Sequence, residues 1–267
     1  MYKVTDLTQK GKNYLVKIAH EEKVVEYKVS EDLVIEFRLL VGKEFEQKQM
    51  QKINEAINKD ANYQKVLHYA LFKPRTKKEI FTYLEKLKIE DFGYYLTKLD
   101  KLKLINDQLY AENYVSDAIN FKKDGPKKIL EDLRKKGIAL EDINHQLNNY
   151  AQSLLEENIK YWLDKKLRTT KNKPYYQTKN MIITFLLNKG FDYGDVNSVF
   201  SSNKEIIAND IDEESLIIKE ISYLKTKYLK KEQKLTLNQY LTNKLLAKGY
   251  QYSIIKKYLE GSLLGDE

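Results

Sequence analysis

Between residues 14 and 29 the chain alternates. Tyr14, Val16 and Ile18 share one side, His20-Glu21-Glu22-Lys23 makes a polar turn, and Val25, Tyr27 and Val29 alternate again. Period-two alternation about a polar turn predicts a β-hairpin. Ser30 with Asp32 then opens a short helix that carries Leu33, Phe37 and Leu40 and closes at Gly42, although Leu33 to Phe37 also suits a strand. From about residue 46 the period becomes that of a helix. Met50, Ile53 and Ile57 form one face, and a second helix presents Val66, Leu67, Ala70 and Leu71 before Pro74 breaks it. Thr76 and Glu79 make a capping box for a helix through Ile80, Leu84 and Leu87, and Asp91 opens the next, with Tyr95, Leu99 and Leu102 on its face.

Three segments then repeat one pattern: Leu133 to Ile138, Leu186 to Phe191 and Leu245 to Tyr250 each end in Lys-Gly followed by an apolar residue. Each has a further apolar residue six positions past its glycine, namely Ile143, Val196 and Ile255. A glycine after a run of helix formers is a stop signal, because only glycine takes the left-handed closing conformation without a Cβ clash. Aligning Lys88 with these glycines gives a degenerate first copy, with Leu84 and Tyr94 at the matching places. The helices fall into triplets at 108–121, 126–136 and 140–150, at 151–168, 177–189 and 193–201, and at 213–233, 236–248 and 252–260. Gly125-Pro126 is a helix start. The reading is a mainly α chain of tandem three-helix repeats in an elongated, curved array. Its domains are a small β-hairpin-containing extension over 1–45 and modules over 46–105, 106–150, 151–208 and 209–267.

The 42% apolar content suits a folded chain, and the 32% charged content suits amphipathic helices with wet outer faces. No stretch is long and apolar enough for a membrane span, no secretory signal opens the sequence, and there is no cysteine to form a disulfide, so a cytoplasmic location is expected. The net charge of +8 is unevenly placed: 122–136, 160–179 and 225–234 carry +4, +6 and +4, leaving −6 for everything else. Such concentration is the footprint of a polyanion binder. In the most basic segment Tyr161 and Trp162 precede Lys165, Lys166 and Arg168. Cations attract phosphates and aromatic planes stack on bases, so the combination suits a single-strand groove, while the same aromatics also suit a core.

Catalytic signals are weak. His20, His68 and His145 lie in different modules, and the pairs Glu156-Glu157 and Glu213-Glu214 sit at helix openings, where carboxylates favour the macrodipole. Phosphate-loop, dinucleotide and nucleophile-elbow motifs are absent from the sequence. A binding protein without cofactor or metal is expected, not an enzyme.

Lys73-Pro74-Arg75-Thr76-Lys77-Lys78-Glu79-Ile80, Leu104-Ile105-Asn106-Asp107-Gln108-Leu109-Tyr110-Ala111 and Lys123-Asp124-Gly125-Pro126-Lys127-Lys128-Ile129 stand in the order and spacing of a known group. Together with Leu133 to Ile138 they resemble the RecX family, bacterial regulators of the RecA recombinase, over about residues 60 to 260. The long form with a β-containing extension is similar to that of Gram-positive bacteria. Where the family commonly has a glycine before the Leu-Ile-Asn-Asp signature, this chain has Lys103.

The resemblance implies a protein of DNA repair, recombination and the SOS response. It would lie along the groove of a RecA–DNA filament, interfere with ATP hydrolysis and strand exchange, and promote filament disassembly. The implied partners are the RecA filament and single-stranded DNA, with double-stranded DNA as a second candidate, and the chain itself is expected to be a monomer. The contact residues expected are Arg75, Lys77 and Lys78, then Lys122, Lys123, Lys127, Lys128 and Arg134, then Trp162, Lys165, Lys166 and Arg168. Asp107 and Tyr110 are assigned to packing, with Asn106 or Asp107 capping the helix that follows. Two rival readings are a helix-turn-helix transcription regulator that reads bases directly and a helical scaffold indifferent to DNA.

Overall fold

The computed structural model describes residues 1–170, 173–203, 211–230 and 235–263. Most of the linker expected at 202–212, the end of the basic run 225–234 and part of the loop 169–176 lie outside the described residues. The chain divides into two compact units, Met1–Tyr110 and Ala111–Glu267.

The first unit opens with an antiparallel sheet in the order β3-β2-β1-β4, made of β1 (Tyr2–Lys10), β2 (Asn13–His20), β3 (Lys23–Ser30) and β4 (Glu44–Phe45). The expected hairpin is β2–β3, with Tyr14 opposite Val29 and Val16 opposite Tyr27. Two further strands flank it, because β1 contributes one fully buried side chain, Val4, to an otherwise polar run and so carries little alternation. The short helix α1 (Glu31–Phe37) forms, but Arg38 (φ 50°) closes it, and Gly42 lies beyond, in the turn before β4. Leu39 is buried there and Leu40 is exposed, the reverse of helical spacing, because the chain has already left the helix.

The two helices expected between 46 and 74 are one, α2 (Gln47–Phe72). Its first half sends Met50, Ile53 and Ile57 into the sheet's core with Val4, Val16, Ile18 and Val29. Its second half sends Val66 and Ala70 into a separate cluster with Ile80, Leu84, Ile89, Tyr95 and Leu99. The polar stretch Asn58-Lys59-Asp60 interrupts the apolar face without a glycine or proline to break the backbone, so the helix continues while its packing partner changes. Leu71 and Leu102, expected on buried faces, are exposed at the ends of their helices.

Helices α3 (Lys77–Lys86) and α4 (Phe92–Lys101) complete the first triplet, and α3 starts on the expected Thr76/Glu79 capping box. Lys88 takes φ +57°, the left-handed conformation held in later copies by Gly137, Gly190 and Gly249. The closing hydrogen bonds match in all four: Ile89 N–H to Leu84 O, Ile138 to Leu133, Phe191 to Leu186 and Tyr250 to Leu245, at 3.1 to 3.2 Å. Each is a Schellman closure whose two apolar residues are buried. In the first copy the following helix is capped by Asp91, three residues after Lys88, whereas Ala139 and Asp192 follow their glycines by two. That added residue moves the buried position from Tyr94 to Tyr95. Lys103 also has positive φ, 54°, before the signature segment.

Helix α5 (Asp107–Asp117) runs into a π-helical turn, Ala118–Lys122, followed by α6 (Pro126–Lys135) and α7 (Leu140–Leu147). The third triplet is α8 (Gln152–Leu167), α9 (Tyr175–Asn188) and α10 (Tyr193–Ser202), and the fourth is α11 (Glu213–Leu229), α12 (Leu237–Ala247) and α13 (Tyr252–Leu263). Ile143, Val196 and Ile255, the residues six past each glycine, are fully buried. The fold is mainly α, with three-helix repeats following a four-stranded antiparallel sheet. Among the described residues no helix is long and apolar enough to cross a membrane.

Candidate functional site

The Lys-Asp-Gly-Pro segment before α6 folds back onto the third triplet. Gly125 N–H donates to Lys189 O at 2.7 Å and Lys127 N–H to Gly190 O at 3.0 Å, so the opening of α6 is satisfied by the closing turn of α9. The approach is close enough that a Cβ on Gly125 would lie 2.3 Å from the Gly190 carbonyl carbon, and one on Gly190 would lie 2.2 Å from Lys128 N. Asp124, buried, receives Lys189 Nζ at 2.8 Å and Lys128 Nζ at 3.5 Å. Lys128 also binds Asp132 at 2.8 Å, a bond that raises the lysine's pKa. Burial opposes ionisation of Asp132, yet the Lys128 ammonium and the Tyr114 hydroxyl hold its carboxyl below the ordinary value. Lys127 pairs with Asp192 and lowers that carboxyl's pKa.

Lys123 adopts φ +52° and sends Nζ to Asn158 Oδ1 at 2.9 Å. Asn158 is fully buried and spends its amide on Ile119 O and the Tyr150 hydroxyl. Burial raises the pKa of that hydroxyl, which keeps it a neutral donor and acceptor inside the network. Three of the five cations expected to meet a partner from this segment, Lys123, Lys127 and Lys128, are therefore engaged within the protein. Lys122 and Arg134 stand exposed, with Lys122 Nζ over the Tyr114 ring at 4.5 Å.

The network ends at an aromatic surface. Trp162 Nε1 donates to Lys123 O at 2.8 Å, and its ring meets Tyr161 and Phe185 edge-on, each with centroids 5.2 Å apart. Ammonium groups surround these rings: Lys165 and Lys189 lie 4.9 and 4.5 Å from the Trp162 centroid, Lys123 lies 5.1 Å from Tyr161 and Lys166 lies 4.1 Å from Phe185. Trp162 and Phe185 are half-buried and Tyr161 is 43% exposed, so ring surface remains open beside the cations. Helix geometry makes this possible, since Tyr161, Trp162, Lys165 and Lys166 occupy neighbouring turns of α8 while Phe185 and Lys189 stand one turn apart on α9. Such an arrangement attracts phosphates and offers planes for bases.

Lys165 and Arg168 are exposed and Lys166 is half-buried, and among the described residues neither Arg168 nor Arg134 lies over a ring. In the first unit Lys77 and Lys78 are exposed, whereas Arg75 stacks on Tyr69 at 3.9 Å, 3.9 Å from Glu79 Oε1. Asn106 caps α5 through Leu109 N–H, and Asp107 reaches back to accept Lys77 N–H at 2.8 Å, tying α5 to the start of α3. Phe185 and Lys189 join the site beyond the expected residues. The repeated Leu-x-x-Lys-Gly pattern marks Lys189, which sits beside a backbone turn that a neighbouring helix approaches, and no part of that pattern marks Phe185.

Comparison with known proteins gives one answer. Residues 106–147 match the family model for the second three-helix domain of RecX, and residues 155–200 match that for its third. The chain is 30% identical over 263 residues to the regulatory protein RecX of Enterococcus faecalis, covering 94% of this chain and 93% of that one. It is also 30% identical over 260 residues to the regulatory protein RecX of Streptococcus agalactiae serotype V, covering 96% and 98%. A crystal structure of a regulatory protein RecX superposes with a TM-score of 0.59 at 28% identity, covering 77% of this chain and all of that one.

Proposed function

The chain belongs to the RecX family, and from that premise we propose that it regulates the RecA recombinase by binding along the RecA–DNA filament. Bound there, it inhibits ATP hydrolysis and strand exchange and promotes disassembly. It acts as a monomer in the cytoplasm, by contact and not by catalysis. The observation that carries this reading is the Trp162 surface, where ring planes on two helices meet the ammonium groups of Lys165 and Lys166, with Lys123 and Lys189 beside them already bound to Asn158 and Asp124. Tandem modules add further cationic places, Lys77, Lys78, Lys122 and Arg134, so that several weak contacts act as one avid attachment. Lysines outnumber arginines at these places and several ring faces carry cations, which favours backbone and surface contact over reading of base edges.

The test is RecA's ATP hydrolysis on single-stranded DNA, measured with and without this protein. Addition should slow hydrolysis. Exchanging Lys165, Lys166 and Arg168 for Glu should weaken that inhibition while the circular-dichroism helicity stays the same. Equal inhibition by the triple variant would refute the assignment of this surface, and no effect of the native protein would refute the function.

A further inference from the structure

The joint between the third and fourth triplets repeats the joint between the second and third, with the charges changed. In both, the third residue of a middle helix, Lys128 in α6 or Gln177 in α9, packs on the left-handed glycine of the next triplet, Gly190 or Gly249. Asp124 precedes the N-cap of α6, and Lys173 holds the same place before α9. Lys189 precedes Gly190, and Lys248 precedes Gly249. The earlier joint therefore places a buried carboxylate between Lys128 and Lys189, and the later one places two lysines where that carboxylate and its partner would stand.

The later joint is also open. Lys173, Lys248, Lys219, Gln177 and Glu220 line a cleft of about 370 Å³. Glu220 pairs with Lys248 at 2.7 Å. Lys173 has the neutral Met181 sulfur 3.1 Å from its ammonium, and Lys219, exposed on α11, also exerts its charge on Asp212. Gln177 and Lys248 line a second groove as well, of about 590 Å³, whose other side is Met181, Thr184 and Phe185. Phe185 is the ring packed on Trp162. The cationic cleft and this groove thus share Gln177 and Lys248, and the groove reaches the ring that packs on Trp162.

We propose that this joint is a phosphate site for a single nucleic-acid strand, in which Lys173, Lys219 and Lys248 hold a backbone phosphate where the earlier joint holds the carboxylate of Asp124. The strand's bases stack beside Phe185 and Trp162 while its backbone crosses the joint. This rests on the nucleic-acid part of the proposed function and names where the strand continues.

The experiment is anisotropy titration of a labelled oligothymidylate with the full chain across a salt series. Exchanging Lys173 and Lys219 together for Ala should lower affinity roughly tenfold and flatten the log–log salt slope by about 0.7, the value for one single-strand phosphate contact. Lys173→Asp restores the Asp124 arrangement beside Lys248, so it should raise the thermal transition and flatten the slope as well. Circular dichroism checks that each variant is folded. An unchanged slope in both, with Trp162→Ala still losing affinity, overturns the joint site and leaves the aromatic surface standing. No oligonucleotide binding by the native chain overturns both. Binding of a polyglutamate peptide that depends on Lys173, with oligonucleotide binding indifferent to it, overturns the phosphate assignment in favour of an acidic protein partner.

Discussion

The two inter-triplet joints of the second unit share a backbone plan and differ in how they are finished. At the earlier joint α6 donates backbone N–H groups to the carbonyls of Lys189 and Gly190, and Asp124 neutralises the lysines from both sides. At the later joint a Cβ on Gly249 would lie 3.3 Å from the Gln177 Cβ, a tight contact that a shift of a few tenths of an ångström relieves, and α9 receives the Glu213 carboxylate on Tyr175 N–H at 3.3 Å. One joint is sealed by direct backbone approach and an internal ion cluster. The other keeps a cleft lined by cations. The lesson is that a repeat fixes where modules meet, while a few side chains at that meeting place decide whether it is closed structure or available surface.

Glycine substitution should break this comparison most strongly. Both Gly190 and Gly249 have positive φ, 87° and 90°, so Ala meets the same backbone strain of about 1 to 2 kcal/mol at either. Only Gly190→Ala also drives a methyl into the Lys128 backbone, at 2.2 Å, which adds about 2 kcal/mol or more through forced backbone shifts. Urea unfolding of the two variants should therefore differ by at least that amount, and equal losses would show the joints to be alike.

A smaller effect is expected from Asp124→Asn, which leaves Lys189 and Lys128 facing a neutral group. Breaking a fully buried pair costs about 3 to 5 kcal/mol, and the partial exposure of both lysines reduces this to about 2 kcal/mol. Denaturant midpoints measure it, and a loss below about 0.5 kcal/mol would mean that the cluster does not seal the joint.

The smallest effect concerns Glu213. Burial raises its pKa above the ordinary 4.5, partly offset by the Tyr175 N–H bond. An acid whose folded pKa is raised binds more protons when folded, so its contribution to stability is full below about 4.5 and is lost as pH rises through the folded value. Glu213→Gln keeps an oxygen for Tyr175 and removes the titration. Thermal stability near neutral pH should stay equal or rise by less than about 0.5 kcal/mol, and the pH dependence of the native chain just above 4.5 should diminish. A neutral-pH loss would make the charged cap essential to the joint.

Much of the fold was legible because its signals are local. The Lys-Gly closures could be read from single glycines, and even the degenerate copy at Lys88 takes the left-handed turn, since Leu84 and Ile89 supply its apolar contact. The β2–β3 hairpin declared itself by alternation. Strand β1 did not, because a strand that buries little side-chain surface leaves no period to detect. Helix α2 carries the sequence pattern of two helices for a related reason: its apolar face pauses where it leaves one core for another.

The site was less legible. A run of lysines does not state which charges are used internally, and Lys123, Lys127 and Lys128 are bound to Asn158, Asp192, Asp124 and Asp132. Asp124 and Lys189 are 65 residues apart in sequence, so their pairing depends on how the triplets dock. The aromatic segment of α8 was visible, but Phe185 and Lys189 reach it from another helix.

By itself the sequence determined most of the helices, the Lys-Gly stops, the repeat and the total positive charge, because these depend on backbone conformation and on periodicity within a few residues. Tertiary structure alone decided which lysines face carboxylates, which rings stay open, and which of two similar joints holds a cleft. Those outcomes arise from groups brought within a few ångströms by packing, where electrostatic and steric energies are set by distance in space and not by distance along the chain.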